Sequence, residues 1–216
     1  MSERALRSQE IVKRVGEWSV KNFGWDQQSK ADPYLKLKAV APLVGIVEEC
    51  CEFVVAMTAL VRTGNSEIWK DVQDAVGDIG IYLCDAIYRL FHGRDERIYG
   101  IVFDREINKE VIDRVSEAER FDVIVNESMD VIDKMLPVFE YGILLADNDS
   151  RIAVVGESAS NREMLETRFL GVASLFTDSL SVLSYLAWGK DLLETVEGVF
   201  NAVVSKRNWA TQRAKS

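Results

Sequence analysis

The chain has 216 residues, 48% of them hydrophobic and 28% charged, with a formal net charge of -9. That length supports one sizeable core or two small packed units. So acidic a chain is a poor general nucleic-acid binder, because neutralising phosphates takes clusters of Lys and Arg. The three cysteines, Cys50, Cys51 and Cys84, are odd in number and two are adjacent. This is no disulfide framework, and it fits a reducing cytoplasm. The start Met1-Ser2-Glu3-Arg4 has no apolar signal region, and no apolar run is read as a membrane span. His92 is the single histidine, which disfavours His-ligated zinc hydrolases and Ser-His-Asp or Cys-His sites.

With only three prolines and long apolar-periodic stretches, the chain reads as all-α. A first helix is expected over residues 8–23. A polar break at 24–33 leads to a long helix over about 37–61. Thr63-Gly64-Asn65 ends it, and Ser66 is placed to cap the next helix, which continues to about Phe91. His92-Gly93-Arg94 closes that helix, and residues 98–103 form a mixed segment. A charged helix is expected over 105–120, then a long apolar one over 121–145 kinked at Pro137. A loop over 147–160, with an extended piece at Ile152–Val155, precedes a helix over 161–188. Gly189 breaks it, and a last helix runs over 192–209 before a basic tail.

The halves echo each other weakly. Val47-Glu48-Glu49-Cys50-Cys51-Glu52 is matched by Val125-Asn126-Glu127-Ser128-Met129-Asp130, and the Gly-basic-Asp ending of Gly93-Arg94-Asp95 recurs in Gly189-Lys190-Asp191. This divides the chain into helices over 1–95, an insertion or degenerate repeat over 96–188, and a closing helix and tail over 189–216.

The sharpest local feature is Glu48-Glu49-Cys50-Cys51-Glu52, embedded between Leu43-Val44 and Phe53-Val54-Val55. Glu48 and Glu52 stack one helical turn apart, and Glu49 neighbours Glu52. Such like charges repel, and a hard divalent cation compensates them through oxygen ligands. The next helix carries Asp74, Asp78 and Asp85 near one face, among apolar residues and interrupted by Gly77 and Gly80. A glycine inside a helix costs ~1 kcal/mol relative to alanine, so two of them point to the close approach of another helix or a ligand. A short turn would set the two carboxylate groups opposite each other. The competing reading is that these acids are a solvated helix face. The cysteine pair reads as core packing.

At these residues the sequence resembles the MazG-like, all-α nucleoside triphosphate pyrophosphohydrolases, a superfamily that includes dimeric dUTPases. Glu48, Glu49 and Glu52 fit the family's E-E-x-x-E helix, and Asp78 fits the final Asp of its E-x-x-D helix. The family Glu before it is Ala75 here, with Asp74 one residue earlier. Asp85 falls where many members carry an Asn facing the nucleotide. Residues 17–24 resemble the family's first helix and residues 204–209 its C-terminal end.

The resemblance implies a MazG-like helical bundle that cleaves (d)NTP to (d)NMP and pyrophosphate with Mg²⁺, or Mn²⁺ in its place. It implies Glu48, Glu49, Glu52, Asp78 and Asp74 as metal ligands, with Glu48 or Glu49 accepting the water's proton. Asp85 would meet the nucleotide. Trp18 or Trp25 would stack on the base, unless Trp18 belongs to the core. Lys36 and Lys38, or Lys206 and Arg207, would reach the phosphates unless they are ordinary surface charges. A homodimer is expected, and neither nucleic acid nor membrane as a partner. Two alternatives stand beside this: a dUTPase-like dUTP/dUDP hydrolase, and a catalytically inactive helical module that binds nucleotide or protein.

Overall fold

The computed structural model describes residues 1–23, 35–155 and 160–206, which are all-helical apart from short connections and contain no strand. In chain order the helices are α1 (Glu3–Phe23), α2 (Leu35–Thr63), α3 (Trp69–Leu90), α4 (Ile98–Ile101), α5 (Lys109–Ile112), α6 (Glu117–Val155), α7 (Ser160–Trp188) and α8 (Leu192–Lys206). The helical class follows from the periodicity, and most boundaries fall within a few residues of those expected.

Gly64, at φ +63°, ends α2 in a left-handed turn that residues with a Cβ rarely adopt. The cap that follows is Asn65, not Ser66: its side chain accepts from the Glu67 amide at 3.0 Å, starting a 3₁₀ turn that runs into α3. The tight connection makes α2 and α3 an antiparallel hairpin. Its register is visible where the Tyr82 ring fills the space a Cβ on Gly45 would need. A second hairpin, α6–α7, packs through α6 against α2. Leu43 meets Gly142, while Met57 faces Ser128 and Met129 across a groove, so α2 and α6 run antiparallel.

Helix α8 returns to lie along α3. The glycines are what admit it: a Cβ at Gly77 would strike Val199 and one at Gly80 would strike Val196. Their close approach is therefore to a helix. Helix α1 covers α3 on another side, with Tyr88 filling the space over Gly16. One contiguous core joins all of these elements, with Phe53, Phe91, Phe169 and Phe176 fully buried. Each such ring contributes roughly 1.5–3 kcal/mol over an exposed one.

Three expectations need correction. No helix spans 105–120: α5 is a single turn capped by the Asn108 side chain on the Val111 amide at 3.3 Å. A capping box then starts α6. Ser116 Oγ accepts from the Glu119 amide at 3.3 Å, and Glu119 accepts from the Ser116 amide at 3.3 Å. Ile152–Val155 is not extended but the last turn of α6, which also runs through Pro137 unbroken. Finally, α7 is long and apolar enough by length and composition to cross a membrane. Much of that character serves the core: 56% of the stretch is buried, including Phe169, Phe176, Leu180 and Leu183.

Candidate functional site

The α2–α3 hairpin, α1 and α8 enclose a recess of about 150 Å³. It is lined by Val15, Trp18 and Ser19 from α1, Glu49 from α2, Asp78, Ile81, Tyr82 and Asp85 from α3, and Val203 from α8. The recess thus gathers Glu49, Asp78, Asp85 and Trp18, four of the residues singled out in the sequence, from three helices. Each arrives by helical spacing. Asp78, Tyr82 and Asp85 lie on one stripe of α3, and the hairpin turn sets Glu49 across from them. Among the described residues no Lys, Arg or His lines the recess.

The other expected ligands are placed differently. Glu48 and Asp74 are exposed. Glu52 is also exposed and shares a shallow groove with Cys51 and Asp71, farther along the seam between α2 and α3. Among the described residues no three Asp, Glu, His or Cys side chains gather closely enough to hold an ion by themselves. Ala75, where the resemblance looks for a glutamate, is 5% exposed and belongs to the core. A glutamate there would have to be buried, and Asp74 points its chain position toward solvent. Trp25 and Arg207 lie outside the described residues. The same holds for the side chains of Lys36, Lys38 and Lys206.

Asp85 is not an open carboxylate. It is 7% exposed, and Arg89, one turn on, donates from Nε to Oδ1 at 2.9 Å and from Nη2 to Oδ2 at 2.6 Å. The same Nη2 donates to Ser19 Oγ at 2.8 Å, tying α1 to α3 beneath the recess. Burial is the largest cause acting on the Asp85 carboxyl and raises it above its ordinary range, with Arg89 and the Ser19 hydroxyl opposing. The two-pronged hydrogen bond from the Arg89 guanidinium fixes the orientation of both carboxylate oxygens.

Trp18 is half-buried, and it serves two ends. Its ring meets Phe200 of α8 edge to face at a centroid distance of 5.9 Å, and it also borders the recess. It is therefore a rigid wall as well as a core contact. Cys50 and Cys84 are buried, and burial pushes the Cys50 thiol up to about 12. Cys51 is exposed, so only one member of the adjacent pair is core packing.

The echo of the acidic motif on α6 has a different chemistry. Lys134 Nζ donates to Asp130 at 2.9 Å and to Ser179 of α7 at 2.6 Å, beside the half-buried Glu127. A protein cation already sits among these acids. Ser174 of α7 donates to the Val102 carbonyl at 3.4 Å.

Sequence reasoning did not single out Ser19, Tyr82 or Arg89. Two carried a signal: Arg89 follows Asp85 and Tyr82 follows Asp78 by four residues, the spacing of facing side chains. Ser19 carried none, because its partners lie on another helix.

Two hard carboxylates at one recess fit a hard divalent ion. Mg²⁺ keeps much of its water shell and uses one or two protein carboxylates together with substrate phosphates, so a cage of three is not required. No family model, curated protein or solved structure matches the chain.

Proposed function

We propose that the chain is a Mg²⁺-dependent nucleoside triphosphate pyrophosphohydrolase of MazG-like type, acting at the α1–α2–α3–α8 recess. The observation that carries this reading is the pairing of Glu49 and Asp78 from two antiparallel helices at one recess walled by Trp18 and Tyr82. An acidic recess lined, among the described residues, by no Lys or Arg repels a polyphosphate unless a cation lies between them. Glu49 and Asp78 would hold that ion, with Glu52 one turn away. When bound, the ion supplies charge neutralisation on the phosphates and lowers the pKa of the attacking water. Of the two glutamates expected to take the water's proton, Glu49 lines the recess and Glu48 does not, so the role falls to Glu49 or to a neighbour it orients. The volume is small beside ordinary ligand pockets of roughly 300–1,000 Å³. The recess therefore takes one end of a nucleotide, and the remainder lies outside it.

The test is pyrophosphate release from a panel of canonical NTPs and dNTPs with Mg²⁺. Release of monophosphate and pyrophosphate supports the reading. Activity confined to dUTP or dUDP would favour a dUTPase-like enzyme. A second reading, a non-catalytic nucleotide-binding module, draws on Ala75 in the core and Asp74 at the surface, which leave the second acidic motif one ligand short. Nucleotide binding with no turnover of any of the panel would establish it.

A further inference from the structure

We infer that α2 docks against α2 of a second copy of this chain, antiparallel and with Val55 at the two-fold axis. The inference is independent of the enzyme reading, because it draws on a different face of α2 from the one Glu49 presents to the recess.

Val44, Glu48, Cys51, Val55, Thr58 and Arg62 follow one another at alternating steps of four and three residues, and all are exposed. That spacing draws one seam along the helix. The outer face of a solvated helix is ordinarily polar, as on α1 with Glu10, Glu17 and Lys21. The seam of α2 is charged only at Glu48 and Arg62, and its centre, Val55, is 69% exposed. An apolar groove runs along each side of it. Ala56, Ala59 and Ile68 line the one toward α3, and Val54, Met57 and Met129 line the one toward α6. A ridge between two grooves is self-complementary, because each ridge can seat in a groove of the other copy.

Charge sets the direction. Glu48 and Arg62 lie seven residues, two helical turns, on either side of Val55. Among the described residues neither has an ion-pair partner. A parallel pair in register would set Glu48 against Glu48 and Arg62 against Arg62. The antiparallel pair sets each Glu48 against Arg62 of the second copy, so opposite charges meet on both sides of the axis. Such matching fixes direction and register, while covering Val55 and the grooves supplies the drive to associate. Arg62 of the second copy then ends beside Glu48, whose neighbour Glu49 lines the recess.

Cysteine cross-linking reads the arrangement directly. Cys50 and Cys84 are buried, so in the double variant Cys51→Ser, Val55→Cys the one exposed thiol lies at the axis. Mild oxidation at micromolar concentration should join that variant into a covalent dimer. In the unmodified protein the two Cys51 residues stand about 12 Å apart along the pair. A disulfide spans Cα separations of roughly 4.4–6.8 Å, so they should not join. Sedimentation tests the charges: Arg62→Glu should weaken self-association about 10-fold, and adding Glu48→Lys should restore it to within about threefold. All of these positions are exposed, so the fold is spared. Cross-linking through Cys51 in the unmodified protein would show a parallel pair. A dimer that Val55→Cys does not cross-link would show that another face pairs. A monomer at every concentration would show that none does. Each of these three results overturns the inference, and failure of the reversed charges to restore association overturns the role of Glu48 and Arg62 in setting its direction.

Discussion

The ring of Tyr82 occupies the space that a Cβ on Gly45 would need, so the α2–α3 hairpin closes beside the recess only because residue 45 has no side chain. Gly45→Ala sets two effects against each other. Alanine gains up to ~1 kcal/mol in helix propensity, but forcing a methyl group into a packed ring costs typically ~1–3 kcal/mol. The second should win, giving a net loss on the order of 1 kcal/mol in denaturant unfolding. Because Tyr82 also walls the recess, KM should rise as well. Gly198→Ala is the control. Among the described residues nothing lies within 4 Å of a Cβ at that helical position, so propensity acts alone and stability should increase. Equal effects at the two positions would refute the steric argument.

The carboxylates should separate by position. Glu49→Gln and Asp78→Asn each remove a charged oxygen at the recess, and each should abolish pyrophosphate release while the protein still unfolds cooperatively. Glu48 and Asp74 are exposed and line no part of it. Glu48→Gln and Asp74→Asn should cost about 10- to 100-fold at most, as for groups that orient ligands from outside. Full activity in Glu49→Gln, or an Asp74→Asn loss as severe as that of Asp78→Asn, would place the working site elsewhere along the seam.

The fold was largely legible because α2 and α3 advertise themselves twice, through apolar periodicity and through the Gly64-Asn65 stop-and-cap between them. Misreadings arose where local signals competed. The stretch 105–120 has helix-forming charges, but Asn108 and Ser116 each cap a new helix and so end what precedes them. Ile152–Val155 is β-branched in part, yet it continues a helix already under way. In the site, Glu49 and Asp78 were legible from spacing. Burial was not. Glu48 and Glu49 are adjacent and chemically alike, and only the packing of α1 and α8 decides which borders the recess. Gly77 and Gly80 signalled a close approach, but not that Val196 and Val199 of α8 make it.

Assembly can be tested on the α2–α6 face. Val54 of α2 and Met129 of α6, 37% and 56% exposed, line an apolar groove between the helices with Phe53, Met57 and Ile132, and Leu136, one turn beyond Ile132 on α6, is 62% exposed. Water contact of this kind on neighbouring helices favours pairing. Light scattering at micromolar concentration should give twice the 24.4 kDa chain mass. Leu136→Lys should shift the particle to the chain mass without unfolding it. A monomer mass for the unmodified protein would refute the expectation.

Burial of Glu127 near Lys134 predicts a pH dependence with a definite sign. Burial raises the Glu127 carboxyl above its ordinary value. The Ser179 hydrogen bond opposes this, Asp130 adds to it and Lys134 opposes it. The fold therefore holds the Glu127 proton more tightly than the unfolded chain does. Its ionisation costs stability fully above the raised folded value, and that cost disappears as pH falls below the ordinary carboxylate range. Glu127→Gln removes the charge and keeps an acceptor for Ser179, so it should raise the unfolding midpoint at about pH 8 and lose that advantage toward about pH 4. Lys134→Met should do the reverse. Without its ammonium the carboxyl rises further, so the variant should be destabilised at about pH 8 and recover part of the loss on acidification. Because Glu127 is only half-buried, both effects should be modest and should shrink with added salt. Parallel unfolding-versus-pH curves for the unmodified protein and both variants would show that burial of Glu127 is not the controlling cost.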